Sequence, residues 1–373
     1  MNLVLTGGGT GGHIYPALAL AQAFGGVAEF APLEVLFVGT RDRLEATIVP
    51  EAGLPICFVQ AAPLARKVSP ALFVGLLRNA AGIVQSARIL LRARPDVVIA
   101  TGGYVAFPVV AALRVLRVLR RTRARVAVFE ANAVAGLTNR VLAPMVDEVW
   151  LAIAPAKRPL TFRETLVGMP VRATMRRSFD VLEARDTLGL DAAGTTIVVM
   201  GGSLGARSLN EAAAGLVEAG LPPGWQLLVV AGARDYEGLR RRLAGYARAT
   251  VRPYLDDPRA AYAAADVVVA RAGASTLGEL AATATPALLV PYPHATDDHQ
   301  TVNARAFSTG GGARILADAE LDAARLRAEL EAMLVPGVLR EIRAAASRRA
   351  QVDPSAAIMA RVKRWSRTNV ADP

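Results

Sequence analysis

The sequence predicts an α/β protein made of two doubly wound domains, each built around its own parallel sheet. Three observations carry that prediction. Short apolar runs alternate with longer amphipathic ones along the whole chain; strands separated by helical crossovers pair in parallel and are buried on both faces. A pattern of strand, glycine loop and helix opens the chain (Leu3-Val-Leu-Thr-Gly-Gly-Gly-Thr-Gly-Gly) and returns half-way along it (Ile197-Val-Val-Met-Gly-Gly-Ser-Leu-Gly-Ala). The length, 373 residues, suits two domains of roughly 100–200 residues each.

The elements follow in order. Residues 3–6, 34–39, 97–101, 126–130 and 148–151 read as strands of the first half, because each is a short, nearly continuous apolar run. Residues 196–201, 226–231, 266–270 and 287–291 read the same way in the second half. Helical spacing marks 16–24, 70–91, 107–121, 206–218, 236–246, 275–284 and 300–309. The last stretch, 339–368, is rich in Ala and Arg and is expected to run back as a helix over the first domain. The boundary falls near 161–172. The expected domains are therefore 1–164, rejoined by 348–368, and 165–347, with a cleft where they touch.

Composition narrows the function. With 53% hydrophobic and 20% charged residues, the chain is neither disordered nor fibrous. Its one cysteine, Cys57, excludes a disulfide scaffold or a Cys-rich metal site and reads as a core side chain. The N-terminus lacks the basic and apolar regions of a signal peptide. The longest uncharged stretches, 97–113 and 280–296, are broken by Gly-Gly or by prolines, so neither reads as a membrane span. The formal charge is +11, and its location is informative. Between Ala52 and Phe129, twelve basic residues face one acid, Asp96, so the whole excess lies there.

The glycine loops come next. Gly7, Gly9 and Gly12 satisfy a dinucleotide-type spacing, but His13-Ile14 stands where a P-loop needs Lys-Ser/Thr. The second strand ends in Gly39-Thr40-Arg41 rather than the acid that a nicotinamide site expects. An arginine there suits a 2′-phosphate, which keeps an NADP-dependent reductase as an alternative. Thr101-Gly102-Gly103-Tyr104, Gly201-Gly202-Ser203-Leu204-Gly205 and Arg271-Ala272-Gly273 end further strands. Each alone is a tight strand–helix turn; together they mark two ligand-binding rims.

The polar clusters fall in the same loops. His13 stands at the start of the first helix, where the helix dipole disfavours imidazolium. It is either a general base for a hydroxyl or a simple contact to phosphate or loop. Glu130 and Asn132 either hold sugar hydroxyls or cap a helix. Glu279 either closes a capping box with Thr276 or accepts both hydroxyls of a ribose. Asp297, Asp298 and His299 are adjacent and do not converge as metal ligands without help from other elements; with Gln300 they read as a polar loop that contacts ligand.

Taken together, Gly7–Pro16, Ala100–Pro108, Glu130–Arg140, Gly201–Asn210, Arg271–Leu280 and Pro291–Ala304 resemble the MurG family of N-acetylglucosaminyltransferases, in that family's order. The resemblance implies the GT-B fold, with two Rossmann-like domains facing a deep cleft. It implies UDP-N-acetylglucosamine (UDP-GlcNAc) as donor and undecaprenyl-diphosphoryl-N-acetylmuramoyl pentapeptide (lipid I) as acceptor, glycosylated at its sugar 4-hydroxyl with inversion to give lipid II. No cofactor and no metal are implied.

Carried over by position, His13 and Glu130 are the catalytic candidates. Thr10, Gly11, Gly12, Tyr104, Asn132, Arg172, Ser203, Gly202, Glu279, His299 and Gln300 are the substrate-binding ones. Phe129, Ala131 and Met169 depart from the family's usual His, Gln and Asn, and His299 stands where some members carry a second Gln.

The basic stretch 64–125 interleaves arginine with aliphatic residues, which suits an anionic membrane face. Nucleic acid is disfavoured, because aromatic interleaving is absent beyond Phe73. The expected location is peripheral, on the cytoplasmic face of the plasma membrane. A sugar-nucleotide epimerase shares the two-domain plan but leaves the basic apolar region without a purpose.

Overall fold

The computed structural model describes residues 1–63, 70–155, 159–160, 163–202, 205–255 and 257–370. The first half contains β1 (Asn2–Thr6), α1 (Gly11–Gly25), β2 (Glu34–Gly39), α2 (Glu45–Glu51), β3 (Ile56–Phe58), α3 (Pro70–Ala93) and β4 (Val97–Ala100). It continues with α4 (Ala106–Val118), β5 (Arg125–Glu130), α5 (Leu137–Leu142), β6 (Glu148–Leu151) and β7 (Glu164–Leu166). These strands form one sheet in the order β3-β2-β1-β4-β5-β6-β7, and every pairing is parallel.

The second half holds α6 (Val181–Leu188), β8 (Thr195–Met200), α7 (Arg207–Glu218), β9 (Trp225–Val230), α8 (Tyr236–Leu243) and β10 (Ala249–Arg252). Then come α9 (Arg259–Ala264), β11 (Val267–Ala270), α10 (Ala274–Thr283), β12 (Ala287–Leu289), α11 (His299–Ser308) and β13 (Ala313–Ile315). The sheet order is β10-β9-β8-β11-β12-β13, again parallel throughout. Two helices, α12 (Ala323–Leu334) and α13 (Pro336–Ala350), complete this half.

The central strands are apolar without alternation because helices cover both faces. Val97 to Ala100 and Ile197 to Val199 are buried along their whole length. The sequence reading missed β3, β7, β10 and β13. All four are sheet edges. An edge strand of three or four residues buries too little to leave a long apolar run.

The expected final helix is two helices. Asp353 accepts the N–H groups of Ser355 at 3.0 Å and Ala356 at 3.3 Å, so it caps α14 (Pro354–Val370), which starts afresh on a proline. The compact units are accordingly Met1–Ala173 with Asp353–Pro373, and Thr174–Val352. The first extends past the expected 164 because β7 pairs with β6. The return segment begins at 353 rather than 348 because the break falls at Asp353-Pro354. Within the first unit, Trp365 of α14 stacks on Trp150 at 5.6 Å, and Arg361 pairs with Glu148 at 2.7 Å.

Helix α3 turns polar residues inward. Buried Asn79 exchanges hydrogen bonds with the backbone of Ala62, and Gln85 accepts the Gln60 N–H at 2.7 Å. A Cβ on Gly82 would lie 1.9 Å from the Gln60 carbonyl oxygen, which is why glycine stands at that crossing. Phe73, Val74, Leu76, Leu77, Val84 and Leu91 face outward instead.

Candidate active site

In a doubly wound sheet, ligands bind beyond the carboxyl ends of the strands, at the point where strand order reverses. That point lies between β1 and β4 in the first sheet and between β8 and β11 in the second. The loops leaving those four strands are the four glycine segments picked out in the sequence. Each leads into a helix, α1, α4, α7 or α10. None of these helices has a side-chain cap or an acidic residue in its first turn. By contrast, Asp180 caps α6 and Asp322 caps α12. The rim helices therefore keep an uncompensated positive dipole end, which suits an anionic ligand, although the Ala106 and Phe107 N–H groups that open α4 donate to the Gly103 and Tyr104 carbonyls.

On the first rim the two loops interlock. Gly103 has φ +81°, and a Cβ there would lie 2.3 Å from the Gly8 carbonyl oxygen. A Cβ on Gly102 would lie 2.8 Å from the His13 ring. His13 itself is half-buried in the first turn of α1. Its Nδ1 lies 2.9 Å from the Gly8 carbonyl oxygen and 3.3 Å from the Thr10 hydroxyl. A carbonyl only accepts, so Nδ1 is the donor in that contact. The Thr101 hydroxyl donates to the His13 carbonyl at 2.7 Å. Gly11, Gly12 and exposed Thr10 form the helix start beside it. Tyr104 lies over this loop, with a ring carbon 3.6 Å from a Cβ position on Gly9. Its hydroxyl accepts Arg43 Nε–H at 3.1 Å, which holds the Arg43 guanidinium above its ordinary range.

Glu130, the second catalytic candidate, ends β5. It is 3% exposed. Oε1 accepts the Asn132 N–H at 2.9 Å, and Oε2 accepts Gly136 N–H at 3.0 Å and Asn139 Nδ2–H at 2.9 Å. With both oxygens occupied, this carboxylate organises the β5–α5 loop, and Asn132 is placed by it. The substituted positions Phe129, Ala131 and Met169 are all buried, so their side chains do not form the rim.

The sequence reading missed Glu45, on α2. It is fully buried. Its carboxylate accepts Gly9 N–H at 3.0 Å, Thr40 N–H at 3.1 Å and the Thr40 hydroxyl at 2.6 Å. Nothing local marks it, since the donors come from two other loops.

On the second rim, Arg271 links several strand ends. It donates to the Val290 and Pro291 carbonyls, to Asp318 at 2.6 Å and to the Ser208 hydroxyl at 2.7 Å. Glycine 202 has φ +83°; Ser203 lies outside the described residues. Glu279 is at the sixth position of α10, whose N-cap is Gly273, so no capping box with Thr276 forms. The Tyr262 hydroxyl donates to its Oε2 at 2.8 Å. Burial first, then the charge of Glu279, raises the Tyr262 phenol well above its usual range.

Gln300 accepts the Tyr292 N–H at 3.0 Å, which directs its amide within the loop. His299 Nδ1 is 2.7 Å from the Thr296 carbonyl oxygen, and Asp298 accepts the Thr301 hydroxyl. Among the described residues no three His, Cys, Asp or Glu side chains group as a metal site. Arg172 lies just before the division between the units.

Both halves match known families. The glycosyltransferase family 28 N-terminal domain model matches residues 3–151, and the C-terminal domain model matches 196–359. The UDP-N-acetylglucosamine--N-acetylmuramyl-(pentapeptide) pyrophosphoryl-undecaprenol N-acetylglucosamine transferase of Halothermothrix orenii is 38% identical over 90% of this chain and 91% of its own. This chain belongs to the MurG family of glycosyltransferases. A protein of the same name from Salinibacter ruber is 41% identical over 86% of this chain and 85% of its own. The crystal structure of Acinetobacter baumannii MurG superposes with a TM-score of 0.75 at 26% identity, covering 98% of this chain and 100% of that one. As a family member the chain is a glycosyltransferase with the GT-B fold.

Proposed function

We propose that this enzyme transfers N-acetylglucosamine from UDP-GlcNAc to the 4-hydroxyl of the N-acetylmuramoyl sugar in lipid I, inverting the anomeric centre and giving lipid II for peptidoglycan synthesis. The donor is assigned to the second rim. There the uncapped starts of α7 and α10 receive the diphosphate, Glu279 the ribose hydroxyls and Gln300 the sugar. The acceptor is assigned to the first rim with Thr10, Tyr104 and Asn132.

The observation that carries the chemistry is the 2.9 Å contact between His13 Nδ1 and the Gly8 carbonyl oxygen. With Nδ1–H engaged by Gly8, Nε2 is the free base. The acceptor oxygen bonds to the anomeric carbon as its proton passes to Nε2. The bond from that carbon to the diphosphate oxygen breaks, and its electron pair leaves with UDP. Arg172 and the helix N–H groups stabilise that developing charge. The His13→Ala variant tests this: turnover should fall by about 10²–10⁴ with the fold retained. Near-normal turnover would remove His13 from the base role.

The enzyme docks on the anionic cytoplasmic face of the plasma membrane as a peripheral protein. Phe73 is 62% and Leu77 72% exposed on α3, and Val118 is 67% exposed on α4. Along the same two helices and the loop after α4, Arg78, Arg88, Arg92, Arg114, Arg120, Arg121 and Arg123 are exposed. Arg117 and Arg125 differ, because both pair with Asp147. Among the described residues no helix is long and apolar enough to cross a membrane. The exposed apolar side chains of α3 insert, and each arginine near the surface contributes about 1 kcal/mol.

A further inference from the structure

We infer that Glu45 is a positioning residue for the base and acts on His13 through one peptide group. The inference rests on the assignment of His13 made above. Gly8 carbonyl and Gly9 N–H are the two ends of the same planar amide. The N–H end donates to Glu45 Oε2 at 3.0 Å. The carbonyl end accepts from His13 Nδ1 at 2.9 Å. Carboxylate, peptide and imidazole therefore form a single hydrogen-bonded chain.

Position and charge both matter. Glu45 is fully buried, and the donors bonded to it, Gly9 N–H, Thr40 N–H and the Thr40 hydroxyl, are all neutral. Away from water, a carboxylate polarises the groups bonded to it, and successive bonds strengthen one another. Pull on the Gly9 proton sends electron density through the amide to the Gly8 oxygen. That oxygen then holds Nδ1–H more firmly and keeps the Nε2 lone pair facing the acceptor.

The surroundings are shaped to fit this carboxylate. A Cβ on Gly8 would lie 2.4 Å from Glu45 Oε1, and one on Gly39 2.7 Å from its Cγ. The donors also converge on a group that only accepts. An amide in its place would turn an N–H against one of them. A charge buried this deeply is costly unless its surroundings answer it. Thr40 supplies two of the three donors here, and the loop that carries the base supplies the third.

The test uses the full chain and reads the His13 ring nitrogens by 15N NMR. In the wild-type protein, Nδ1 carries the proton, and the Gly9 amide proton moves when acid protonates His13, because the peptide links them. In Glu45→Gln the two tautomers become mixed. Its kcat falls about 10- to 100-fold, with KM for UDP-GlcNAc changed less than twofold. Thr40→Val, which leaves the Gly9 bond intact, keeps the single tautomer and kcat within threefold.

A Gly9 amide indifferent to His13 protonation overturns the relay without any variant, so a Glu45→Gln chain that fails to fold leaves the test standing. A folded Glu45→Gln with an unchanged tautomer and kcat overturns it as well. If His13→Ala keeps its turnover, the base assignment fails; the NMR arm still decides whether the relay exists.

Discussion

Replacement of Gly103 by alanine separates a turn from a catalytic support. A Cβ at Gly103 would stand 2.3 Å from the Gly8 carbonyl oxygen. An ordinary carbon–oxygen contact is about 3.3 Å, so the Gly8 peptide must retreat by about 1 Å. Alanine at φ +81° adds roughly 1–2 kcal/mol of backbone strain. The retreat breaks the 2.9 Å bond from His13 Nδ1, and a misplacement of about 1 Å costs about 10²-fold in rate. Steady-state transfer with a soluble lipid I analogue should show kcat down about 10²-fold, with KM for UDP-GlcNAc unchanged because the donor is assigned to the other sheet. Thermal unfolding should report more than that strain, because the displaced Gly8 peptide also carries the Gly9 N–H bond to buried Glu45. A folded variant with kcat within threefold of wild type would refute the reasoning and leave Gly103 as a turn residue alone.

The remaining predictions concern separate parts of the molecule. Glu279→Ala should raise KM for UDP-GlcNAc about 10²- to 10⁴-fold, since the two ribose hydrogen bonds proposed for it are worth about 1.5–3 kcal/mol each; titration calorimetry with UDP measures the same loss. Trp365→Ala should destabilise the first unit by about 3–5 kcal/mol, because it empties the place of an 8% exposed ring stacked on Trp150; chemical denaturation checks this. Phe73→Ser with Leu77→Ser should abolish co-sedimentation with anionic vesicles while sparing activity on a soluble acceptor analogue. Equal recovery of the wild type with neutral and anionic vesicles would count against electrostatic docking.

The central architecture was legible because buried parallel strands are locally apolar. Runs such as Val97 to Ala100 announce themselves, and the glycine loops after them mark the rims. The edges were not legible, for β3, β7, β10 and β13 span three or four residues each. The split of the last helix was readable, since Asp353-Pro354 is a cap followed by a helix-starting proline, yet the Ala/Arg composition on both sides masked it.

Site chemistry divided the same way. His13 was identifiable from its place after the glycines. Glu130 carried both a catalytic and a capping reading, and its donors favour the second. Glu45 left no local signal, because Thr40 and Gly9 meet it only in the folded chain. Had the close glycines at 8 and 39 been read as making room for one side chain, they would have pointed to it.

Product analysis tests the central claim most directly. Purified enzyme is incubated with labelled UDP-GlcNAc, with and without a lipid I analogue, and the disaccharide linkage is determined. The account predicts one β-linked GlcNAc on the MurNAc 4-hydroxyl per UDP released, and no turnover without the acceptor. Donor consumption in the absence of acceptor, or an α-linked product, would contradict it.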